Sequence, residues 1–187
     1  MTVREVGKMT VAAGPSPGFK WPVAVKRLIA APSSKVWEVI SSPGTLPLYH
    51  PFCEKNPVFD WPGPASHDEV HYFNGLVLVR RFTDWHEDIG YDLEIGRDGG
   101  RTSVVSWRIT PVKERRSAIT ITVFPHKLQH IPTLVRWLPH LAGLRPQLRS
   151  YLQSVVKGLD WFISHGQPVR KNHFGAHRWF SPAQTGG

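Results

Sequence analysis

Ala30-Ala31-Pro32-Ser33-Ser34-Lys35-Val36-Trp37-Glu38-Val39-Ile40-Ser41 is the stretch on which the fold turns. Val36, Trp37, Val39 and Ile40 recur at helical spacing, and Pro32 suits a first helical turn, where a missing N–H costs nothing. Upstream, Val23, Val25 and Ile29 alternate through a strand that should begin near Pro22. Downstream, Ser42-Pro43-Gly44 stops the helix, and Thr45 to Tyr49 can form only a short second one, given Pro47 and Pro51. The chain therefore opens in the order strand, helix, short helix.

From Cys53 to His126 the character changes to β-branched and aromatic runs separated by turn signals, which predicts consecutive antiparallel strands. Asn74-Gly75 is a two-residue hairpin signal, because a type I′ turn needs positive φ at both positions. Such a turn sets Phe73 opposite Leu76, Tyr72 opposite Val77, Val70 opposite Val79 and Asp68 opposite Arg81, with His71 facing Leu78 and Glu69 facing Arg80. That register gathers Val70, Tyr72, Val77, Val79, Arg81, Thr83 and Trp85 on one face and leaves Glu69, Arg80, Asp84 and His86 on a wetter one. A bulge between Val79 and Trp85 would reverse the face and bring Arg80 inward instead. Further on, a three-residue loop at Asp98-Gly99-Gly100 pairs Leu93 with Val105 and Tyr91 with Trp107, and a last strand sets Ile119, Ile121 and Val123 against Ile109, Trp107 and Val105. One continuous apolar face results.

After Pro125 the period returns to helical, first over about Thr133 to Ala142, broken or kinked at Pro139. A longer helix starts near Pro146, where Leu148, Leu152, Val155, Leu159 and Phe162 form a single stripe with Arg145, Arg149 and Lys157 on its flank, and Gly166 stops it. The chain divides into an N-terminal flexible or wrapping arm over 1–21, a domain over 22–165, and a basic aromatic tail over 166–187 that is expected to pack on the domain surface.

The 187 residues suit one core, and 41% hydrophobic against 20% charged residues excludes global disorder. One cysteine, Cys53, excludes an internal disulfide framework and cysteine-based zinc fingers. The first twenty residues lack the apolar run of a secretory signal, and no window approaches the roughly 18 apolar residues of a membrane span, so the expected location is cytoplasmic. The net charge of +9 is uneven, with +2 through residue 126 and +7 beyond it. This describes a solvated helix flank and basic tail, or a surface for peripheral contact with an anionic membrane. No nucleic-acid motif is present, and no nucleic-acid partner is expected.

The order of elements is that of the helix-grip fold. The Ala30 to Ser41 segment, the Asn74-Gly75 hairpin, Arg81-Phe82-Thr83-Asp84-Trp85 and the C-terminal helix resemble the START-like, or SRPBCC, superfamily. That superfamily includes the Bet v 1-like proteins and the polyketide cyclase/dehydrase branch. The resemblance implies an α+β fold in which a curved antiparallel sheet of about seven strands grips the long C-terminal helix. It also implies a cavity between them for a hydrophobic, polyketide or lipid-like small molecule. The rings at Tyr72, Trp85, Tyr91 and Trp107 either line that space or fill it.

Placed in that cavity, the expected ligand-binding residues are Tyr49, Tyr72, Val79, Arg81, Trp85, Tyr91, Trp107 and Ile121, with Leu148, Leu152, Val155 and Leu159 from the helix. Arg81 would orient a carboxylate, phosphate or enolate with its fork of donors, or pair with Asp68. His50, beside the cavity mouth, and Tyr72 are the candidates for moving a proton if the protein is a cyclase/dehydrase-like enzyme rather than a binding or transport protein. His126 with His130 and His173 with His177 have a four-residue spacing but no third ligand, so neither a metal nor another cofactor is expected. Phe73, Leu76 and Leu78 would form an exposed patch on the wetter hairpin face, leaving monomer and homodimer both open.

Overall fold

β-Branched and aromatic residues at alternate positions make the middle of the chain a sheet with one dry face, and the register of that sheet decides which side chains meet. The structure, a computed structural model, describes residues 21–126 and 140–182. The expected arm, apart from Trp21, and most of the expected helix over 133–142 lie outside the described residues.

The elements run β1 (Val23–Ile29), α1 (Ser33–Ser41), α2 (Leu46–Tyr49), β2 (Cys53–Lys55), β3 (Val58–Asp60), β4 (His67–Tyr72), β5 (Val77–His86), β6 (Gly90–Gly96), β7 (Thr102–Lys113) and β8 (Arg116–Phe124). A π-helical turn over His140–Leu144 then leads into α3 (Arg145–His165). All eight strands join one antiparallel sheet in the order β1-β8-β7-β6-β5-β4-β2, with β3 also on β4. The sheet curves around α3 as the helix-grip fold requires. Leu148, Leu152, Val155 and Leu159 are the buried stripe of that helix, which ends at Gly166 in the left-handed conformation (φ 65°), with its N–H bonded to the Phe162 carbonyl. Gly158 lets the helix backbone press on the end of α2, since a Cβ there would lie 1.9 Å from the Tyr49 carbonyl oxygen.

The pairings of Tyr91 with Trp107 and Leu93 with Val105, and of Ile109, Trp107 and Val105 with Ile119, Ile121 and Val123, are those the apolar alternation demands. The β4–β5 hairpin differs from expectation by one residue. Its loop is Phe73-Asn74-Gly75, closed by Tyr72 N–H to Leu76 O at 2.8 Å and Gly75 N–H to Tyr72 O at 2.9 Å. Gly75 supplies the positive φ, 82°, and Asn74 Oδ1 accepts the Leu76 N–H. Asp68 therefore pairs with Arg80, Val70 with Leu78 and His67 with Arg81.

A one-residue slip exchanges the faces of a strand. Here it turns Leu76, Leu78, Arg80 and Phe82 to the concave side, a more apolar set than the Val77, Val79 and Arg81 they displace. A register shift between Phe82 and Asp84 then returns Trp85 to the concave side opposite Tyr91. Arg81, expected inward, is about half exposed and pairs with Asp98 at 3.0 Å. Val79 is buried, but on the strand face that alternates away from Leu78 and Arg80. Leu76 and Leu78 do not form an outer patch with Phe73.

Within the described part of the tail, residues 166–182, the chain packs onto the domain. Val169 N–H bonds Leu48 O, Asn172 N–H bonds Pro51 O, and Asn74 Nδ2 donates to Trp179 O at 2.9 Å. Phe180 joins the hydrophobic core rather than resting on its surface. Arg145, Arg149 and Lys157 lie exposed on the flank of α3.

Removing one partner of a buried ion pair leaves an uncompensated charge, which costs about 3–5 kcal/mol. Urea denaturation should therefore show Arg80→Met losing stability on that scale while Arg81→Met loses less than about 1 kcal/mol. Equal losses would contradict the register.

Candidate ligand-binding site

The two halves of the grip are filled differently. At one end, Trp85 and Tyr91 are consumed by a cluster of rings. Trp85 meets Trp37 edge-on at 5.3 Å and Trp61 at 5.2 Å, Phe82 meets Trp61 and Tyr91 at 5.0 Å each, and Tyr91 leans on Trp107 at 5.8 Å. Edge-to-face contacts of this kind pack a core densely. At the other end, between β4–β8 and the start of α3, a cavity of about 520 Å3 remains.

The cavity wall is mostly aliphatic. Val70, Leu78, Leu93, Ile95, Val105 and Ile121 come from the sheet, and Leu144, Leu148 and Leu152 from the helical side. Tyr72, Trp107, Tyr151, Trp179 and Phe180 add rings. Of the residues expected there, Tyr72, Trp107, Ile121, Leu148, Leu152 and His50 are on the wall. Tyr49, Tyr91, Val155 and Leu159 are buried in the adjoining solid core and Trp85 packs half-buried against it, with Tyr49 edge-on to Trp107 at 6.4 Å.

Two polar features reach the buried part of this apolar wall. The first is Arg80, whose Nε donates to Asp68 Oδ1 at 2.7 Å while Nη2 donates to Oδ2. Asp68 is fully buried and Arg80 is 6% exposed. Burial works against the guanidinium charge, but the facing carboxylate outweighs it and raises the Arg80 pKa, so the guanidinium stays charged. The fork takes up Nε and Nη2 and leaves Nη1 unused by Asp68. Burial raises the pKa of nearby Tyr49 and Tyr91, keeping both protonated.

The second feature is a hydrogen-bonded chain. His50 Nδ1 accepts the Phe52 N–H at 3.3 Å, so the neutral ring carries its proton on Nε2 and donates it to Tyr151 Oη at 2.8 Å. Tyr151 Oη in turn lies 2.9 Å from Tyr72 Oη. Each hydroxyl passes its donor along, so the Tyr72 proton is the one left at the cavity wall. Burial, with the Arg80 charge second, lowers the His50 pKa to about 3. Burial also raises Tyr72 and Tyr151, so all three groups are neutral near pH 7. They can donate hydrogen bonds, but none has the near-neutral pKa that suits a general base.

The tail closes the cavity at this chain. Phe180 stacks on Tyr72 at 4.6 Å and lies 4.3 Å from Tyr151, and His177 Nε2 lies 3.0 Å from the Gln147 carbonyl oxygen. His177 is thus held by backbone rather than facing His173 across a helical turn. His126 bonds Ser103 through Nδ1 at 2.9 Å, while His130 lies outside the described residues.

The sequence offered Arg80 only as the alternative to Arg81, and it did not single out Tyr151, Trp179 or Phe180 as wall residues. Tyr151 had a usable signal, since it is one helical turn from both Leu148 and Val155. The density of rings over 173–180 showed that the tail packs, but nothing local showed where.

A curved sheet holding one long helix over a half-hollow interior is the helix-grip architecture of START and Bet v 1-like proteins. Residues 20–159 match the family described as polyketide cyclase/dehydrase and lipid transport, and the chain belongs to that family. Among solved structures it is similar to DynU16, from the dynemicin biosynthetic locus, at 17% identity and a TM-score of 0.62 over 80% of this chain. That match spans only 49% of DynU16. It is also similar to a START superfamily protein from Mycobacterium smegmatis (12% identity, TM-score 0.58, 78% of this chain and 99% of that one). Ara h 8.0201 matches at 15% identity and a TM-score of 0.55, over 77% of this chain and 97% of that one. These likenesses concern the fold. No curated protein sequence matches. Among the described residues no helix is long and apolar enough to cross a membrane.

The depressed His50 pKa has a definite sign. The unfolded ring takes up a proton below its ordinary value of 6.5, whereas the folded ring resists down to about 3. Stability is therefore full above pH 6.5 and falls by about 1.4 kcal/mol per pH unit as the pH drops toward 3. His177, also lowered by burial, acts in the same direction. Thermal melts between pH 7 and 4 should fall less steeply for His50→Gln than for the wild type; parallel curves would show that the ring is not buried neutral.

Proposed function

We propose that this protein binds a hydrophobic, polyketide or lipid-like small molecule in the cavity between the sheet and α3, as a carrier or receptor. The observation that supports this is the unfilled aliphatic half of the grip, about 520 Å3 in volume, a size within the range of small-molecule pockets. Burying roughly 200 Å2 of apolar ligand surface at about 25 cal/mol per Å2 gives roughly 5 kcal/mol before association costs, enough for useful affinity only if the ligand fills the space well. The Tyr72 hydroxyl and the Arg80 guanidinium supply a polar pole that would orient a carbonyl or hydroxyl group on the ligand.

A second reading, a cyclase/dehydrase-like enzyme in the same cavity, draws on those donors. Arg80, in place of Arg81, and Tyr72 would stabilise an enolate oxygen. The neutral His50 and protonated tyrosines argue for polarising and holding a ligand over removing its proton, so binding is the reading we favour.

N-Phenyl-1-naphthylamine, a neutral apolar fluorophore, should brighten on binding the wild type. Ile95→Trp, which adds bulk at the wall, should weaken that binding at least tenfold, whereas Val112→Trp on the exposed end of β7 should leave it unchanged. No fluorophore binding, together with no co-purifying small molecule in native mass spectrometry, would refute the reading.

A further inference from the structure

The concave rows of β6 and β7 run outward as Leu93-Ile95 and Val105-Ser103, with Leu93 opposite Val105 and Ile95 opposite Ser103. One more step of the alternation brings each row to an arginine, Arg97 on one and Arg101 on the other. Both are exposed, both lie on the cavity wall where it meets solvent, and Gly100 N–H to Arg97 O at 2.9 Å closes the turn between them. The lining described contains three arginines, Arg80, Arg97 and Arg101, and no aspartate or glutamate.

The three are not equivalent. Arg80 is neutralised in place by Asp68. Neither Arg97 nor Arg101 has a side-chain hydrogen bond or an ion pair among the described residues, and the one acid in their turn, Asp98, is engaged by Arg81 at 3.0 Å. Two like charges at facing positions of a hairpin repel each other. A carboxylate or phosphate between them would relieve that repulsion, and the guanidinium fork fits either group.

We infer that the molecule held in the cavity is an amphipathic anion, with its apolar body among the aliphatic wall residues and its charged head at the Arg97–Arg101 rim. This rests on the reading of the cavity as a ligand site. It also assigns an orientation, since the charged head stays at the solvent-facing mouth while the end that enters is neutral and meets the Tyr72 hydroxyl.

The test is displacement of N-phenyl-1-naphthylamine by decanoate and by 1-decanol, which share a chain and differ in charge, at low and physiological salt. Decanoate should bind about tenfold more tightly than decanol, on the scale of two partly exposed charge contacts. Salt should narrow the margin, since screening reaches about 8 Å at physiological ionic strength. Arg97→Gln/Arg101→Gln should abolish the margin while leaving decanol binding intact. Arg115→Gln/Arg116→Gln, an equal charge change at the opposite end of β7, should preserve it. If decanol competes as well as decanoate in the wild type, or the rim variant keeps the margin, the anionic assignment is overturned while the apolar site stands. If the fluorophore itself does not bind, the cavity reading falls and this inference falls with it.

Discussion

A carboxylate and a guanidinium buried together hold the β4–β5 hairpin in register. Asp68 and Arg80 lie opposite each other in the ladder, both out of water, with a forked contact between them. Separating them inside the protein would strand two charges, each costing several kcal/mol, so the alternatives to this register are heavily penalised. The consequences spread from there. Leu76 and Leu78 become cavity wall, Val77 and Arg81 become surface, and Phe82 enters the ring cluster. The pair need not add net stability relative to an apolar substitute; its effect is to exclude the competing register.

The division of the interior into a solid and a hollow half follows from where large rings fall. Trp37 from α1 and Trp61 from the β3–β4 connection reach Trp85, and with Phe82 and Tyr91 they fill one end of the sheet. Toward β4–β8 and the start of α3, shorter aliphatic side chains face one another and do not meet. Phe180 closes the hollow against Tyr72 and Tyr151, so the C-terminal segment, outside the region matched to the family, sets the length of the space. The polar chain from His50 to Tyr72 runs beside it. Its members are all neutral, so it positions one hydroxyl without placing a charge in an apolar cavity.

Much of the fold was legible because it depends on periodicity. Val36, Val39 and Ile40, the stripe from Leu148 to Leu159, and the β6–β7–β8 registers each follow from apolar spacing with no knowledge of distant contacts. The site was less legible, for two physical reasons. Asn74-Gly75 allows both two- and three-residue loops, and the choice between them was made by Asp68, Leu76 and Leu78 through contacts that local turn chemistry does not contain. Whether Trp85 and Tyr91 line a cavity or fill it depended on Trp37 and Trp61, far away in sequence. Arg81 was the expected inward charge, and the single-residue slip gave that position to Arg80.

Arg80, bound to Asp68, is the buried charge on the cavity wall. Nitrogen-15 NMR of the arginine side chains tests this placement directly, because the Nε–H of a buried, bonded guanidinium exchanges slowly with solvent and reports on nearby binding. The Arg80 Nε–H should exchange slowly and shift when N-phenyl-1-naphthylamine is added, and the Arg81 Nε–H should exchange rapidly and not shift. A protected, ligand-sensitive Arg81 beside a solvent-exposed Arg80 would contradict that placement.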